Sequence, residues 1–176
     1  MKHASPPGQT RLRGLVSGDL GWVVSRHGAL YAQEYGWDLR FEALVARIAA
    51  DLVDRFDASR EGAWIAEADG VPLGCVFLVQ ARDEATGAID PGVAQLRMLL
   101  VEPAARGRGL GKLLAACSED FARQAGYRHI RLWTNSLLLA ARGIYAAAGY
   151  RLVASEPHHS FGHDLVGEIW EKELAT

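Results

Sequence analysis

Cysteine is nearly missing from this 176-residue chain, which has only Cys75 and Cys117. Both sit in apolar stretches without CxxC or His-x-x-Cys spacing, which argues against a disulfide framework or a cysteine metal site. Two core thiols in a reducing compartment are the reading that remains. Long apolar runs are missing too: none approaches the ~20 residues of a membrane span. No signal-peptide pattern opens the chain, so a cytoplasmic protein without a membrane partner is expected. An excess of one charge sign is also lacking. Nineteen Lys and Arg against 21 Asp and Glu leave a formal net charge of −2, no footprint for nucleic-acid binding. Repeats and low-complexity tracts do not occur. What is plentiful is apolar side chain, 49% of the residues, enough for one core at a length that suits one domain.

The chain is organised around Val101–Glu102–Pro103–Ala104–Ala105–Arg106–Gly107–Arg108–Gly109–Leu110–Gly111–Lys112. An apolar run from Leu96 ends at Pro103, a basic glycine turn follows, and Leu110, Leu113, Leu114, Cys117 and Phe121 then recur at helical spacing. A strand, a glycine turn and a helix start make an anion cradle. Glycine lets the backbone approach a ligand, and the first-turn N–H groups of a helix point at it. The expected guest is a pyrophosphate. A P-loop is excluded because Leu113, not Ser or Thr, follows Lys112; a GxGxxG fingerprint from Gly107 fails where Lys112 replaces its third glycine.

Around this turn, periodicity and punctuation order the rest. Residues 1–9 read as a flexible arm and 10–176 as a single domain. A short strand at Arg11–Leu15 precedes a helix capped by Asp19, interrupted near Gly28 and stopped at Gly36. Asp38 caps a second helix with a buried stripe of Phe41, Leu44, Val45, Ile48, Leu52 and Phe56. A hairpin follows, Trp64–Ala68 and Val71–Val79 about an Asp69–Gly70 turn, with Gly74 marking a bulge or a close approach. A polar loop, Ala81–Gly92, leads to the strand before the glycine turn. After the turn's helix come a strand at His129–Thr134, a helix at Leu137–Ala148, and strands at Tyr150–Ala154 and Leu165–Leu174. Those two are joined by a loop holding Pro157, His158, His159, Ser160, Phe161 and Gly162.

Arg106, Gly109 and Gly111, read as Arg-x-x-Gly-x-Gly after a strand ending in a hydrophobic-x-Pro pattern, closely resemble the acetyl-CoA motif of the GCN5-related N-acetyltransferases (GNAT family). The resemblance runs from about Thr10 to Leu174 and is strongest from Leu96 to Val153. It implies an α/β (α+β) fold, a mixed and largely antiparallel sheet of about seven strands flanked by about four helices. More narrowly, the Pro157-His158-x-Ser160-Phe161-Gly162 and Leu165-Val166-Gly167-Glu168-x-Trp170 stretches resemble the acetyltransferase domain fused behind MarR-type winged-helix regulators. No such DNA-binding domain is expected here.

The resemblance implies acetyl transfer from acetyl-CoA to a primary amine, a small molecule by expectation, directly within a ternary complex. Leu99 and Val101 would offer backbone groups to the pantetheine arm; Arg106, Gly107, Arg108, Gly109, Leu110, Gly111 and Lys112 would hold the pyrophosphate. Asn135 matches a cofactor-contacting asparagine. Tyr145, in Ala141-x-x-x-Tyr145-x-x-x-Gly149-Tyr150, matches the tyrosine near the CoA sulfur. A phenol of pKa about 10 can protonate a leaving thiolate. Packing alone is the alternative for Tyr145, and a turn-initiating role for Asn135. The base is open, because Gln95, Arg97 and Met98 stand where some members carry a glutamate. Glu34, Asp38, His158, His159, Glu168 and a water relay are candidates. Glu34 and His158 are expected to share a pocket beside Tyr145, with aromatic walls from Tyr31, Tyr35 and Trp37 and from Phe161. No metal is expected, and homodimerisation stays open. A silent acyl-CoA sensor or an interaction module would keep much of this sequence without turnover.

Overall fold

A computed structural model describes residues 9–83 and 85–174. Its elements are β1 (Arg11–Gly14), α1 (Asp19–Tyr35), α2 (Leu39–Asp54), β2 (Gly62–Ala68), β3 (Val71–Arg82), β4 (Ile89–Val101), α3 (Leu110–Gln124), β5 (His129–Asn135), α4 (Leu139–Ala147), β6 (Arg151–Ser160) and β7 (His163–Glu173). The order is the one expected. A 3-10 turn, Pro103–Ala105, adds to it ahead of the glycines. The arm expected over 1–9 lies, Gln9 apart, outside the described residues. Among the described residues no helix is long and apolar enough to cross a membrane.

The sheet has seven strands in the order β1-β2-β3-β4-β5-β7-β6, antiparallel throughout except for β4 beside β5. That parallel pair needs a crossover, which α3 provides. Each face of the sheet carries its own core. Leu114 and Ala122 of α3 and Tyr145 of α4 meet Val76, Leu78, Leu96, Ile130 and Leu132 on one side. Val23, Leu30, Phe41, Val45 and Leu52 of α1 and α2 meet Ile65, Cys75 and Phe77 on the other.

Several local expectations change, each for a packing reason. Helix α1 runs unbroken through Gly28, because a Cβ there would collide with the Glu42 carboxyl group of α2. That glycine admits a neighbour rather than ending a helix. Gly18 is the N-cap of α1, while Asp19 is its first residue and accepts from the Val16 amide at 2.7 Å. Gly36 ends α1 in the left-handed conformation as an αL cap, its N–H donating to Ala32 O, with Trp37 N–H reaching Tyr31 O. Asp38 caps α2 through the Arg40 amide, at 3.0 Å. Phe56 falls past the end of α2 and is 49% exposed, so it leaves the buried stripe. The polar loop shrinks because β3 and β4 run on to pair Arg82 with Ile89.

The largest correction is at 157–162. Pro157 to Ser160 belong to β6 and pair with Val166 to His163 of β7. Pro157 has no N–H to give, and β6 is an edge strand, where none is required. Phe161 (φ 57°) and Gly162 (φ 83°) form a two-residue turn with both φ positive. The strain at Phe161 is offset by burial of its ring 4.8 Å from Trp37 and 5.2 Å from Phe41.

Candidate active site

Strand β4 delivers the chain to the cradle, and its geometry opens the sheet. Cys75 pairs with Leu100 and Phe77 with Arg97, so β4 spends one extra residue there, and Met98 takes φ 57°. This bulge bends β4. Pairing with β5 then stops at Leu96 and Leu132, while β5 stays with β7 as far as Asn135. Beyond Leu96, β4 and β5 diverge, and Leu99 and Val101 border the gap.

The cradle follows. Gly107 and Gly109 have φ 76° and 78°, and a Cβ on either would meet no protein atom within 4 Å. Helix α3 has no side-chain cap, and its first helical bond runs from Leu113 N–H to Gly109 O at 3.0 Å. The Leu110, Gly111 and Lys112 amides therefore face outward without helical partners. Open space over two left-handed glycines, an uncapped helix start and nearby Arg108 and Lys112 fit a pyrophosphate. Gly111 works differently: a Cβ there would stand 2.6 Å from Ile144 Cδ1, so this glycine lets α3 approach α4. Arg106 is engaged within the protein, its Nη2 to Glu34 Oε1 at 2.7 Å and its Nε to Val101 O at 3.2 Å. It ties the cradle to the end of α1.

Two cavities meet at the gap. The first, about 440 Å³, lies over the cradle and is lined by Glu34 and Tyr35, by Leu99 to Val101, by Arg106 to Lys112 except Arg108, and by Ile144. The second, about 290 Å³, lies under α1 and α2 and is lined by His27, Trp37, Phe41, Gln95, Arg97, Met98, Trp133, Thr134, Asn135 and Tyr145. Tyr31, Leu99, Leu138 and Ala141 line both.

Of the polar groups lining the second cavity, His27, Thr134, Asn135 and Tyr145 are buried, while Gln95 and Arg97 are half-buried. Burial pushes the Tyr145 hydroxyl well above the usual phenol range, so it keeps its proton. Asn135 Oδ1 lies 2.9 Å from His158 Nε2, and His158 Nδ1 lies 2.9 Å from Ser160 Oγ. With Nε2–H donating to Asn135 and Nδ1 accepting from Ser160, the asparagine is held with Nδ2 toward the cavity. That buried Nδ2 has no hydrogen-bond partner. His27 is 2% exposed and stacks on Tyr31 with ring centroids 6.0 Å apart.

The expected pairing of Glu34 with His158 beside Tyr145 does not form. Glu34 lines the first cavity and is bound to Arg106, Tyr145 lines the second, and His158 stands behind Asn135, lining neither. The other base candidates are engaged as well. Asp38 caps α2 and holds Arg40, His159 meets Asp164 at the surface, and Glu168 holds Arg142 and the Trp170 indole. Of the expected aromatic wall, Tyr31 and Trp37 line the second cavity and Tyr35 the first, while Phe161 supports Trp37 from behind. His27 was missed. Its signal was a histidine on the same helix face as Val23, Leu30 and Tyr31, a pattern that a core histidine shares.

A bulged β4, a split from β5 and a glycine cradle at the split define the acyl-CoA class of site, and the comparisons agree. The Acetyltransferase (GNAT) family model matches residues 29–150. An uncharacterized N-acetyltransferase of Schizosaccharomyces pombe is 30% identical over 131 residues, 73% of this chain and 74% of that protein. N-acetylaspartate synthetase of Xenopus tropicalis is 30% identical over 96 residues, 54% of this chain but only 33% of that protein's length. The Salmonella typhimurium protein yncA, solved with acetyl-CoA, has the same fold: TM-score 0.73 at 19% identity, covering 94% of each chain. The chain belongs to the GNAT family of acetyltransferases.

Proposed function

We propose that the protein moves an acetyl group from acetyl-CoA to a primary amine of a small molecule, directly, with both held at once. The observation that carries this reading is the meeting of two cavities at Leu99, one over the cradle and one ending at Tyr145 and Asn135. Acetyl-CoA, when bound, supplies the activated acyl carbon. The Leu110, Gly111 and Lys112 amides, with Arg108 and Lys112, hold the pyrophosphate at the start of α3. Leu99 and Val101 present backbone groups to the pantetheine arm, for which Arg106 gives up its bond to the Val101 carbonyl. Tyr145 donates its proton to the leaving thiolate, the role its burial suits. Glu34 keeps Arg106 in place from α1, and His158 keeps Asn135 aimed, so both act through a neighbour. The finer kinship, with the domain that follows MarR-type regulators, rests only on the residue likeness of the core from Leu96 to Val153 and of the Pro157–Gly162 and Leu165–Trp170 stretches.

The test combines acetyl-CoA calorimetry with CoA release over a panel of amines. Binding with amine-dependent CoA release supports the reading. Tight binding without turnover on any amine makes the chain an acyl-CoA sensor, and no binding makes it an interaction module.

A further inference from the structure

The second cavity holds a base that the family motif does not point to. His27 Nδ1 lies 2.8 Å from Val23 O, one turn back along α1. A carbonyl can only accept, so Nδ1 carries the proton and Nε2 carries the lone pair. Among the described residues no hydrogen-bonding group engages Nε2. The ring lines the cavity that also contains Tyr145 and the unpartnered Asn135 Nδ2.

We propose, resting on the acetyltransferase reading above, that His27 Nε2 takes the proton from the attacking amine, and that the cavity selects a weakly basic amine which enters uncharged on a ring-sized apolar body. The balance closes on two residues. The amine nitrogen forms its bond to the acyl carbon and loses one proton to His27, the carbon–sulfur bond breaks, and the thiolate takes one proton from Tyr145. His27 then returns its proton to the tyrosinate across the same cavity, giving amide and free thiol.

Selection for a neutral amine follows from what surrounds the ring. The charged and titratable groups around it are Tyr31 one turn along α1, Glu42 of α2 over neighbouring Gly28, and Arg97 of β4 and Tyr145 of α4, which line the same cavity; Cys75 of β3 belongs to the core beneath α1 and α2. Of these, the ones that line the cavity are two neutral phenols and an arginine; no carboxylate is among the described lining residues. An ammonium entering here would lose its hydration without an anion to replace it. Burial pushes His27 down to about 4, so it is neutral at physiological pH but too weak to deprotonate an alkylammonium of pKa about 10. It can take a proton from a nitrogen that has already attacked, because bonding to the acyl carbon makes that nitrogen far more acidic. Tyr31, Trp37, Phe41 and Trp133 supply faces for the apolar body.

The test uses aniline and benzylamine, two amines on the same ring, of which only the second is charged at neutral pH. With acetyl-CoA saturating, the protein should acetylate aniline in preference to benzylamine at pH 7. Its kcat/KM, expressed per neutral aniline so that protonation of the substrate itself is divided out, should stay level down to about pH 5 and fall as His27 protonates near 4. His27→Gln and His27→Phe should each lower that kcat/KM by about 10²-fold, with acetyl-CoA affinity and the melting temperature retained in at least the glutamine variant. Preference for benzylamine, an acid limb near 6.5, undiminished turnover in a folded variant, or no transfer to either amine by protein that binds acetyl-CoA overturns the inference. Failure to bind acetyl-CoA instead removes the acetyltransferase reading beneath it. The pH profile of the parent protein decides even if both variants unfold.

Discussion

The two cavities are built from different materials. The first is backbone: two left-handed glycines, three unpaired amides at a helix start and the edge of a bulged strand, contributed largely by residues 99–112. The second is side chain, assembled from α1, α2, β4, β5 and α4, with polar tips carried in on an apolar wall. On the proposed reading, backbone recognises what every reaction of such an enzyme shares, the phosphates and the pantetheine arm. Side chains recognise what varies. Substitutions should therefore separate cleanly, cofactor affinity moving with the first set and acceptor turnover with the second.

The harshest trial of that separation is Gly109→Leu. A leucine at φ 78° costs about 1–2 kcal/mol, which the fold can absorb, but its side chain fills the open space over the cradle. Acetyl-CoA affinity should fall by about 10²-fold or more, the worth of two charge-assisted hydrogen bonds, while the circular dichroism spectrum is unchanged. Parent-like affinity by calorimetry would remove the cradle from the binding site. Next is Tyr145→Phe, expected to lower kcat by about 10²-fold with acetyl-CoA affinity preserved, read by steady-state kinetics beside calorimetry. If both fall together, Tyr145 belongs with the first cavity.

A smaller effect is expected from His158→Phe, which frees Asn135 to turn. One neutral hydrogen bond is worth about 0.5–1.5 kcal/mol, so kcat/KM for the acceptor should drop about 3- to 10-fold. The same loss appearing in acetyl-CoA affinity would return Asn135 to the cofactor side, where the family motif puts it. Acid should do least to turnover near neutrality and act on stability instead. His27 has a folded pKa near 4, below its unfolded value of about 6.5. Its neutral burial therefore stabilises fully above pH 6.5, and on the order of 3 kcal/mol is lost as pH falls toward 4. Arg13 holds Asp19 below the usual carboxylate range, and Arg13 with Arg11 does the same for Glu67. Depressed carboxylates stabilise above about pH 4 and lose that contribution below it. Thermal melts should show a first decline from pH 6.5 to 4 and a further one below, and His27→Gln should flatten only the first.

The same division governs what could be read from the chain. Every described strand and helix was legible in order, because period and punctuation are local, and the cradle was legible because its glycines and basic residues lie within one short stretch. Where neighbours distant in sequence decide the outcome, local signals misled. Gly28 resembles a helix break until Glu42 is seen against it. Pro157 and Gly162 resemble a loop until β7 pairs with the strand between them. Glu34 looked like a free carboxylate, yet its partner Arg106 is 72 residues away. His27 gave the opposite error: its apolar helix face resembles core, and only Tyr145 and Asn135, from other elements, show that the core is hollow there.

The turn at Phe161 and Gly162 has one more consequence, for the order in which the molecule is completed. The Phe161 carbonyl accepts the Asp38 amide at 3.2 Å, and the Phe161 ring nests among Trp37 and Phe41, some 120 residues earlier in the chain. The hairpin that braces the roof of the second cavity therefore leaves the ribosome after every other described element of the sheet and its helices. The strand, turn and helix of the cradle emerge tens of residues sooner, and the tie of Arg106 to Glu34 is to an element already made. During synthesis the nucleotide's half of the site can be shaped while the acceptor's half still lacks its brace.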